Sequence, residues 1–485
     1  MPPRPPENLS PLRELLRQAA PAMAAMASYT AMQFVDARMV AELGPRELAA
    51  QGNGGIAAWF AVSTTVGVLF AVNTFVAQNL GANRPERCAA YAWTALWMGL
   101  IAWLVMLPYA AALGPVFAWM HAGLADPTLI RLETDYARIT LAGALFTLWA
   151  RALGQFFYGV HRPIVVLASA VAANLLNVFL NYALIFGHFG APALGVHGAA
   201  LGTVLAGVLE FAIPMALFLS PRFNADYHTR RAWRWSGEKV RDILRIGWPG
   251  GVQTGNEMFC WWLFMAWLVG SFGAAHNAAG WIGLRWMTVG FMPAFGLSQA
   301  VTAVVGRQIG RGDHDAANHR AWLGVRVAMV YMGAWAAVMV VFRAPMTDFF
   351  VAGDASPETR AEVVRVGSAI LVCCAVFQLF DALGIVLMGA LRGAGDTVWP
   401  GVVTMILSWT LILALGYAFI RFAPQLGGIG PWIAATAYIV ALGLAMCGRW
   451  MGGRWRTIRL VEPSSGPAEP TPNAAPDPAP APGPA

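Results

Sequence analysis

The sequence predicts an all-α integral membrane protein of twelve transmembrane helices, built as two homologous six-helix lobes in a parallel pseudo-twofold repeat. Three observations predict it. Of 485 residues, 58% are hydrophobic and 12% are charged, a charge content about half that of a soluble domain. Apolar runs of the roughly 20 residues needed to cross a bilayer recur along the whole chain. Motifs of the first half also return in the second at a nearly constant offset.

The apolar runs place helices at 17–42, 52–77, 91–114, 133–158, 164–187, 194–219, 246–270, 278–306, 321–343, 363–390, 399–421 and 430–450. The N-terminus, MPPRPPENLS, lacks the short apolar core and small-residue cleavage site of a signal peptide, so the first helix is expected to remain as a membrane span. Five cysteines (Cys88, Cys260, Cys373, Cys374, Cys447) form no CxxC and no His-spaced set, which indicates neither a zinc site nor a disulfide framework.

The net charge of +7 comes from 31 arginines and one lysine, Lys239. They punctuate apolar segments instead of covering a soluble face, so the implied partner is the lipid bilayer and not nucleic acid. The segment between the sixth and seventh helices carries Arg222, Arg230, Arg231, Arg234, Lys239, Arg241 and Arg245. The even-numbered loops add Arg84, Arg87, Arg162, Arg307, Arg311, Arg320 and Arg392. By the positive-inside rule these face the cytoplasm, together with both termini. The 121–135 loop, with Asp126, Glu133 and Asp135, faces outward.

The repeat has three blocks. Arg13, Arg17 and Pro21 align with Arg241, Arg245 and Pro249 at offset 228. Gly44, Ala49, Ala50, Gly54, Gly67, Ala71 and Gly81 align with Gly273, Ala278, Ala279, Gly283, Gly296, Ala300 and Gly310 at offset 229. Arg151-Ala152-Leu153-Gly154, Gly159 and Arg162 align with Asp381-Ala382-Leu383-Gly384, Gly389 and Arg392 at offset 230. Single identities in apolar sequence arise by chance; three ordered blocks at nearly one offset do not. Six crossings return the chain to its starting side, so the halves are parallel and a substrate site falls between them near mid-depth. The resulting division is a cytoplasmic N-terminal segment 1–16, an N-lobe 17–220, a basic cytoplasmic linker 221–245, a C-lobe 246–455 and a Pro/Ala-rich cytoplasmic tail 456–485. That tail cannot bury a core and is expected to be disordered.

Charges inside the apolar runs mark the candidate site, because an ionised group at mid-bilayer costs about 3 kcal/mol on insertion scales. Asp381 stands in FQLFDALGIVLMGALRGAGDT, eleven residues before Arg392, and is therefore about 16 Å deep. Glu257 stands twelve residues after Arg245, about 18 Å deep from the same side. If both face inward they form one cation site. Desolvation and mutual repulsion favour a bound proton, or the two carboxylates replace water around Na⁺. The competing reading pairs each acid with a buried arginine such as Arg285.

Gln253 and Trp261 lie one turn either side of Glu257, with Asn256, Trp262 and Trp286 near in sequence; Phe377 and Gln378 lie one turn before Asp381. Trp faces attract cations, although many of the 21 tryptophans serve as interfacial anchors. Gln253, Asn256, Trp261, Phe377 and Gln378 are thus candidate cavity residues. In the first half, Asp36 is nineteen residues from Arg17, about 28 Å along the helix, and is read either as a wetted helix end or as a functional acid. Asn174, Asn177 and Asn181 share one helix face and either bond between helices or line a polar cavity. Arg151 and Glu210 are the remaining charges at mid-depth, read as a structural ion pair because a lone arginine there is costly.

Enzyme signatures are absent from the sequence: no GxxxxGK[ST], HExxH or GxSxG occurs, which argues against ATP hydrolysis and hydrolase chemistry on this chain. No cofactor is implied.

DARMVAELG with LAAQG, VAQNLGA, NLLNVFLNYALIFG leading to LGVHGAALGT, FMPAFGLSQAVTAVVGRQIGRGD and MGALRGAGDT resemble the multidrug and toxic compound extrusion (MATE) transporters, closest to the NorM-like bacterial branch, over residues 13 to 455. The resemblance implies a monomeric antiporter of the inner membrane that exports cationic amphipathic drugs or metabolites against inward Na⁺ or H⁺. Glu257 and Asp381 would bind the coupling ion, and Asp36 with Asn177 would form a polar site in the N-lobe. Phe377 stands where relatives can carry Tyr, and the missing hydroxyl bears on Na⁺ against H⁺. The alternative within the wider superfamily is a lipid-linked precursor flippase. It should line its cavity with Arg and Lys, where this chain offers Glu257 and Asp381. A membrane-embedded transferase lacks a carboxylate motif in an external loop.

Overall fold

The computed structural model describes residues 10–121, 126–351 and 356–461. The expected disordered tail lies outside these from residue 462 onward, as do the first nine residues of the N-terminal segment.

Among the described residues twelve long helices form the frame: α1 Pro11–Ala41, α2 Pro45–Gly81, α3 Pro85–Met120, α4 Pro127–Gly159, α5 Pro163–Phe186, α6 Val196–Phe218, α7 Gly237–Leu263, α8 Ala274–Gly310, α9 His314–Val341, α10 Pro357–Ala394, α11 Val398–Phe422 and α12 Ile429–Met451. Each corresponds to one of the twelve expected spans, but several begin six to nine residues earlier. The starts are set by caps beyond the apolar stretch. Ser10, Asp126, Ser236 and Ser356 accept from backbone N–H groups of the first turns of α1, α4, α7 and α10, and proline opens α1, α4 and α10. Proline fits there because its missing N–H would be unpaired in any case.

Nine of these helices, among the described residues, are both long and apolar enough to cross a membrane. The other three are α1, α4 and α7. They are equally long but carry Asp36, Arg151 and Glu257 in addition to charged ends, and they complete the twelve.

The packing reproduces the repeat in space. In the N-lobe α1 packs on α5, α2 on α4, α3 on α4, α4 on α6 and α5 on α6; in the C-lobe α7 packs on α11, α8 on α10, α9 on α10, α10 on α12 and α11 on α12. Between lobes α1 packs on α8 and α2 on α7, a reciprocal exchange, while the second half of α2 crosses α8 near the axis.

The repeated glycines explain how the lobes approach. A Cβ on Gly67 would overlap the Gly250 carbonyl, and one on its counterpart Gly296 would overlap the carbonyl of Ala22, the counterpart of Gly250. Gly81 meets the Arg307 carbonyl and Gly310 the Gln78 carbonyl, again a twofold-related pair. Only glycine permits backbone contact this close.

Side chains reinforce the same seam. Asn73 Nδ2 donates to Gln299 O at 3.1 Å, Thr74 Oγ1 to Arg392 O at 2.8 Å and Gln78 Nε2 to Gly393 O at 2.9 Å. Glu14 reaches Arg320 at 2.9 Å and Arg307 at 4.0 Å. Among the described residues, every hydrogen bond and ion pair joining the lobes lies in the half of the molecule that carries the arginine-rich loops.

Candidate functional site

The C-lobe interior holds both candidate acids. Asp381, on α10, is 6% exposed, and its Oδ2 is buried with no hydrogen-bond partner among the described residues. Glu257, on α7, is partly buried and accepts from Gln253 Nε2 at 3.2 Å, one turn earlier on the same face. The two carboxylates are within Coulombic reach of each other, and neither makes an ion pair among the described residues. Arg285 does not serve as counter-ion: its guanidinium lies over the Phe350 ring at 5.4 Å near the end opposite the seam. Arg392, eleven residues beyond Asp381, stacks on Phe70 of the other lobe at 4.9 Å.

The remaining C-lobe candidates separate into two groups. Gln253 also reaches Met388 Sδ at 3.1 Å and Thr404 Oγ1 at 3.5 Å, so one amide ties α7 to α10 and α11 at the level of the acids. Trp261 packs its ring 6.2 Å from Phe377 and 6.3 Å from Trp432, forming an aromatic wall beyond the acids. Asn256 instead faces α11. It donates to Ser408 Oγ at 2.9 Å and accepts from Trp409 Nε1 at 2.8 Å, at the π-helical turn Ser408–Ala414. Gln378 is fully buried and donates to Met287 O on α8 at 3.1 Å, leaving its Oε1 without a partner. Asn256 thus bonds to α11 and Gln378 to α8.

Sequence reasoning missed Tyr438 on α12. It is 2% exposed and lies within Coulombic reach of both Glu257 and Asp381. A tyrosine in an apolar helix raises no hydropathy signal, so only the packing of α12 on α10 reveals it; the Gly443–Phe380 backbone contact brings these helices together.

In the N-lobe, Asp36 is 7% exposed, inside the lobe and not at a wetted helix end. Asn181 Nδ2 donates to its Oδ1 at 2.8 Å. The Asn177 amide, oriented by its neighbours, donates to the same carboxylate at 2.7 Å. Tyr136 on α4 stands beside Asp36 with Gln51 and Thr203. The third member of the asparagine row, Asn174, donates to Ser28 Oγ at 2.7 Å and ties α5 to α1 away from the acid.

Deeper in the N-lobe, Arg151 Nη1 lies 3.7 Å from Glu210 Oε1. Sequence reasoning missed their companion, Tyr29 on α1. Its hydroxyl donates to Glu210 Oε1, and the Arg151 guanidinium sits 4.4 Å above its ring. Extending the repeat register would have found it, because Tyr29 is the counterpart of Glu257 at offset 228.

A sequence profile of the family described as MatE matches residues 21–183 and again residues 257–418, once in each lobe. A probable multidrug resistance protein NorM from Deinococcus radiodurans is 31% identical over 454 residues, covering 91% of this chain and 95% of that protein. The multidrug resistance protein NorM of Burkholderia vietnamiensis is 30% identical over 443 residues, covering 90% and 92%. Among solved structures, a MOP superfamily transporter from Pyrococcus furiosus superposes with a TM-score of 0.84 at 20% identity, covering 93% of this chain and 98% of that one. An outward-facing MATE family transporter superposes with a TM-score of 0.83 at 20% identity over the same shares. With both lobes matched by one profile and the fold shared along nearly the whole length, the chain belongs to the MatE family of multi-pass membrane transporters.

Proposed function

We propose that this chain is a cation-coupled antiporter of the bacterial inner membrane, working as a monomer, that exports cationic amphipathic drugs or metabolites in exchange for Na⁺ or H⁺. The observation that carries this reading is the pair Glu257 and Asp381. Two carboxylates share one lobe interior without an ion-pair partner among the described residues, and Asp381 Oδ2 is buried with no hydrogen-bond partner among them. Such a pair gains stability from a mobile cation, whose arrival offsets repulsion and desolvation together.

The arginine-rich end is taken as cytoplasmic, with both termini there, by the positive-inside rule. The seam closed at that end then corresponds to an outward-facing state. Cation binding at Glu257 and Asp381 changes the local charge by one unit, and so changes the relative free energies of outward- and inward-facing arrangements. Aromatic faces such as Trp261 suit a cationic substrate. The acidic lining argues against an anionic lipid-linked substrate. Within the N-lobe, Asp36 with Asn177 and Asn181 is read as a second polar site.

The test is dye and drug efflux from vesicles holding the full chain, driven by a sodium gradient alone and then by a proton gradient alone. Wild type should respond to one of them, and Asp381→Asn and Glu257→Gln should lose the response. Drug susceptibility in an efflux-deficient bacterium gives a second readout. Unchanged resistance in both variants would overturn the assignment of the coupling site.

A further inference from the structure

The repeat register allows the two lobe interiors to be compared residue by residue. With Pro21 on Pro249, Tyr29 falls on Glu257; with Gly159 on Gly389, Arg151 falls on Asp381. Gly195 and Gly427 share a φ of 55° at the entry to α6 and α12. Aligning them puts Glu210 on Leu442, one turn from Tyr438 on the same face. Helices α1, α4 and α6 therefore gather Tyr29, Arg151 and Glu210 around one point. Helices α7, α10 and α12 gather Glu257, Asp381 and Tyr438 around its twofold-related counterpart.

The two points differ in charge balance. In the N-lobe the Arg151 guanidinium is held as a bound cation would be, by an aromatic face at 4.4 Å and a carboxylate at 3.7 Å. The Tyr29 hydroxyl donates to the same carboxylate. Tyr158, two turns along α4 from Arg151, is 4% exposed and its hydroxyl has no partner among the described residues. The group is neutral overall, one cation against one acid. In the C-lobe the register-related positions of Tyr29 and Arg151 carry two acids, in no ion pair among the described residues, and two buried acceptors one turn apart on α10, Asp381 Oδ2 and Gln378 Oε1, have no partner among them.

We propose that the two lobes carry twofold-related cation sites and that the N-lobe copy is permanently filled by the Arg151 guanidinium, so that only the C-lobe copy takes up a mobile cation. The C-lobe half rests on the function proposed above. The N-lobe half stands on its own geometry and predicts a site for a monovalent guanidinium-type cation once the tether is cut.

The experiment is chemical rescue of the purified full chain. Arg151→Ala should lower the unfolding temperature, and millimolar guanidinium or methylguanidinium should restore at least half of the loss in a saturable way; equal concentrations of NaCl or urea should not. Adding Glu210→Gln to Arg151→Ala should abolish the response. Arg151→Lys, which keeps a tethered charge, should be close to wild type in stability and indifferent to guanidinium. It keeps the question open to refutation even where Arg151→Ala fails to accumulate. No saturable recovery, equal recovery in the Glu210→Gln background, or an Arg151→Lys variant as unstable as Arg151→Ala would each overturn the proposal. Rescue should also persist in an Asp381→Asn background, which separates this result from failure of the coupling site.

Discussion

Glu14 of the N-lobe and Arg320 of the C-lobe meet at 2.9 Å across the seam, with side chains 18% and 17% exposed. The guanidinium Nε also donates to the same Glu14 oxygen at 3.0 Å, so two donors converge on one acceptor. This contact joins the two lobes at the arginine-rich end. Glu14→Gln or Arg320→Gln should therefore favour opening at that end. Partial solvation limits the loss to about 1 kcal/mol, roughly a fivefold shift in the open fraction. Thiol labelling of a cysteine placed at Ala77 would report it, and unaltered labelling in both variants would contradict the role.

The seam glycines make a stronger prediction. Gly81 and Gly310 each lie against a backbone carbonyl of the opposite lobe, so an added methyl has no flexible neighbour to displace. Gly81→Ala or Gly310→Ala should destabilise the closed seam by about 1–3 kcal/mol. Because the two positions are twofold-related, their effects should be similar in size. Labelling at the same reporter position should rise in both, whereas Gly448→Ala, helical and with open space around it, should leave it unchanged.

Much of this architecture is legible in the sequence. Hydropathy located all twelve helices because each crossing must bury an apolar run. It missed their starts because caps such as Ser236 and Ser356 lie in polar sequence that hydropathy discards. The glycine repeat was visible, but its purpose was not: whether Gly81 faces lipid, its own lobe or the partner lobe depends on how two lobes dock. Spacing put Asn174, Asn177 and Asn181 on one face without separating the two that bind Asp36 from the one that binds Ser28. Charged residues at mid-depth drew attention to Arg151 and Asp381. Tyr29 and Tyr438 carry little hydropathy penalty and leave no such mark.

In the N-lobe, Asn181→Ala removes a donor to the buried Asp36 carboxylate, whose bond is 2.8 Å long. Losing a hydrogen bond to a charged group costs about 1.5–3 kcal/mol, so the variant should unfold at a lower temperature. The double change Asp36→Asn with Asn181→Ala should be less than additive. Strict additivity in a double-mutant cycle would mean that the pair does not interact.

Outside the bilayer, Arg360 donates twice to Asp348, at 2.6 Å each, and holds its carboxyl below the ordinary carboxylate value. A depressed folded value means the contact is fully present above the unfolded pKa near 4 and is lost only as pH falls through the lower folded one. Between pH 5 and 8 the short helix Arg343–Asp348 and the first turn of α10 should show constant protection in hydrogen exchange after correction for intrinsic rates. Any pH dependence of transport in that window then originates elsewhere, and Asp348→Asn should leave the pH profile of transport unmoved while loosening the connector.

The last prediction concerns the hydroxyl that Phe377 lacks. Phe377 is 2% exposed and packs its ring 6.2 Å from Trp261, so position 377 offers only hydrocarbon one turn from Asp381. Tyr438 approaches the same two acids from α12 and brings the phenolic oxygen that position 377 does not. Tyr438→Phe should therefore raise the half-saturating concentration of the coupling ion by roughly three- to tenfold, the equivalent of about 1 kcal/mol for one hydrogen bond or ligand, while the rate at saturating ion is preserved. Phe377→Tyr in the Tyr438→Phe background should recover part of the loss, because the new hydroxyl lies on the Asp381 face of α10. Efflux from proteoliposomes titrated with the ion would measure both. An unchanged half-saturating concentration in Tyr438→Phe would remove this residue from the site.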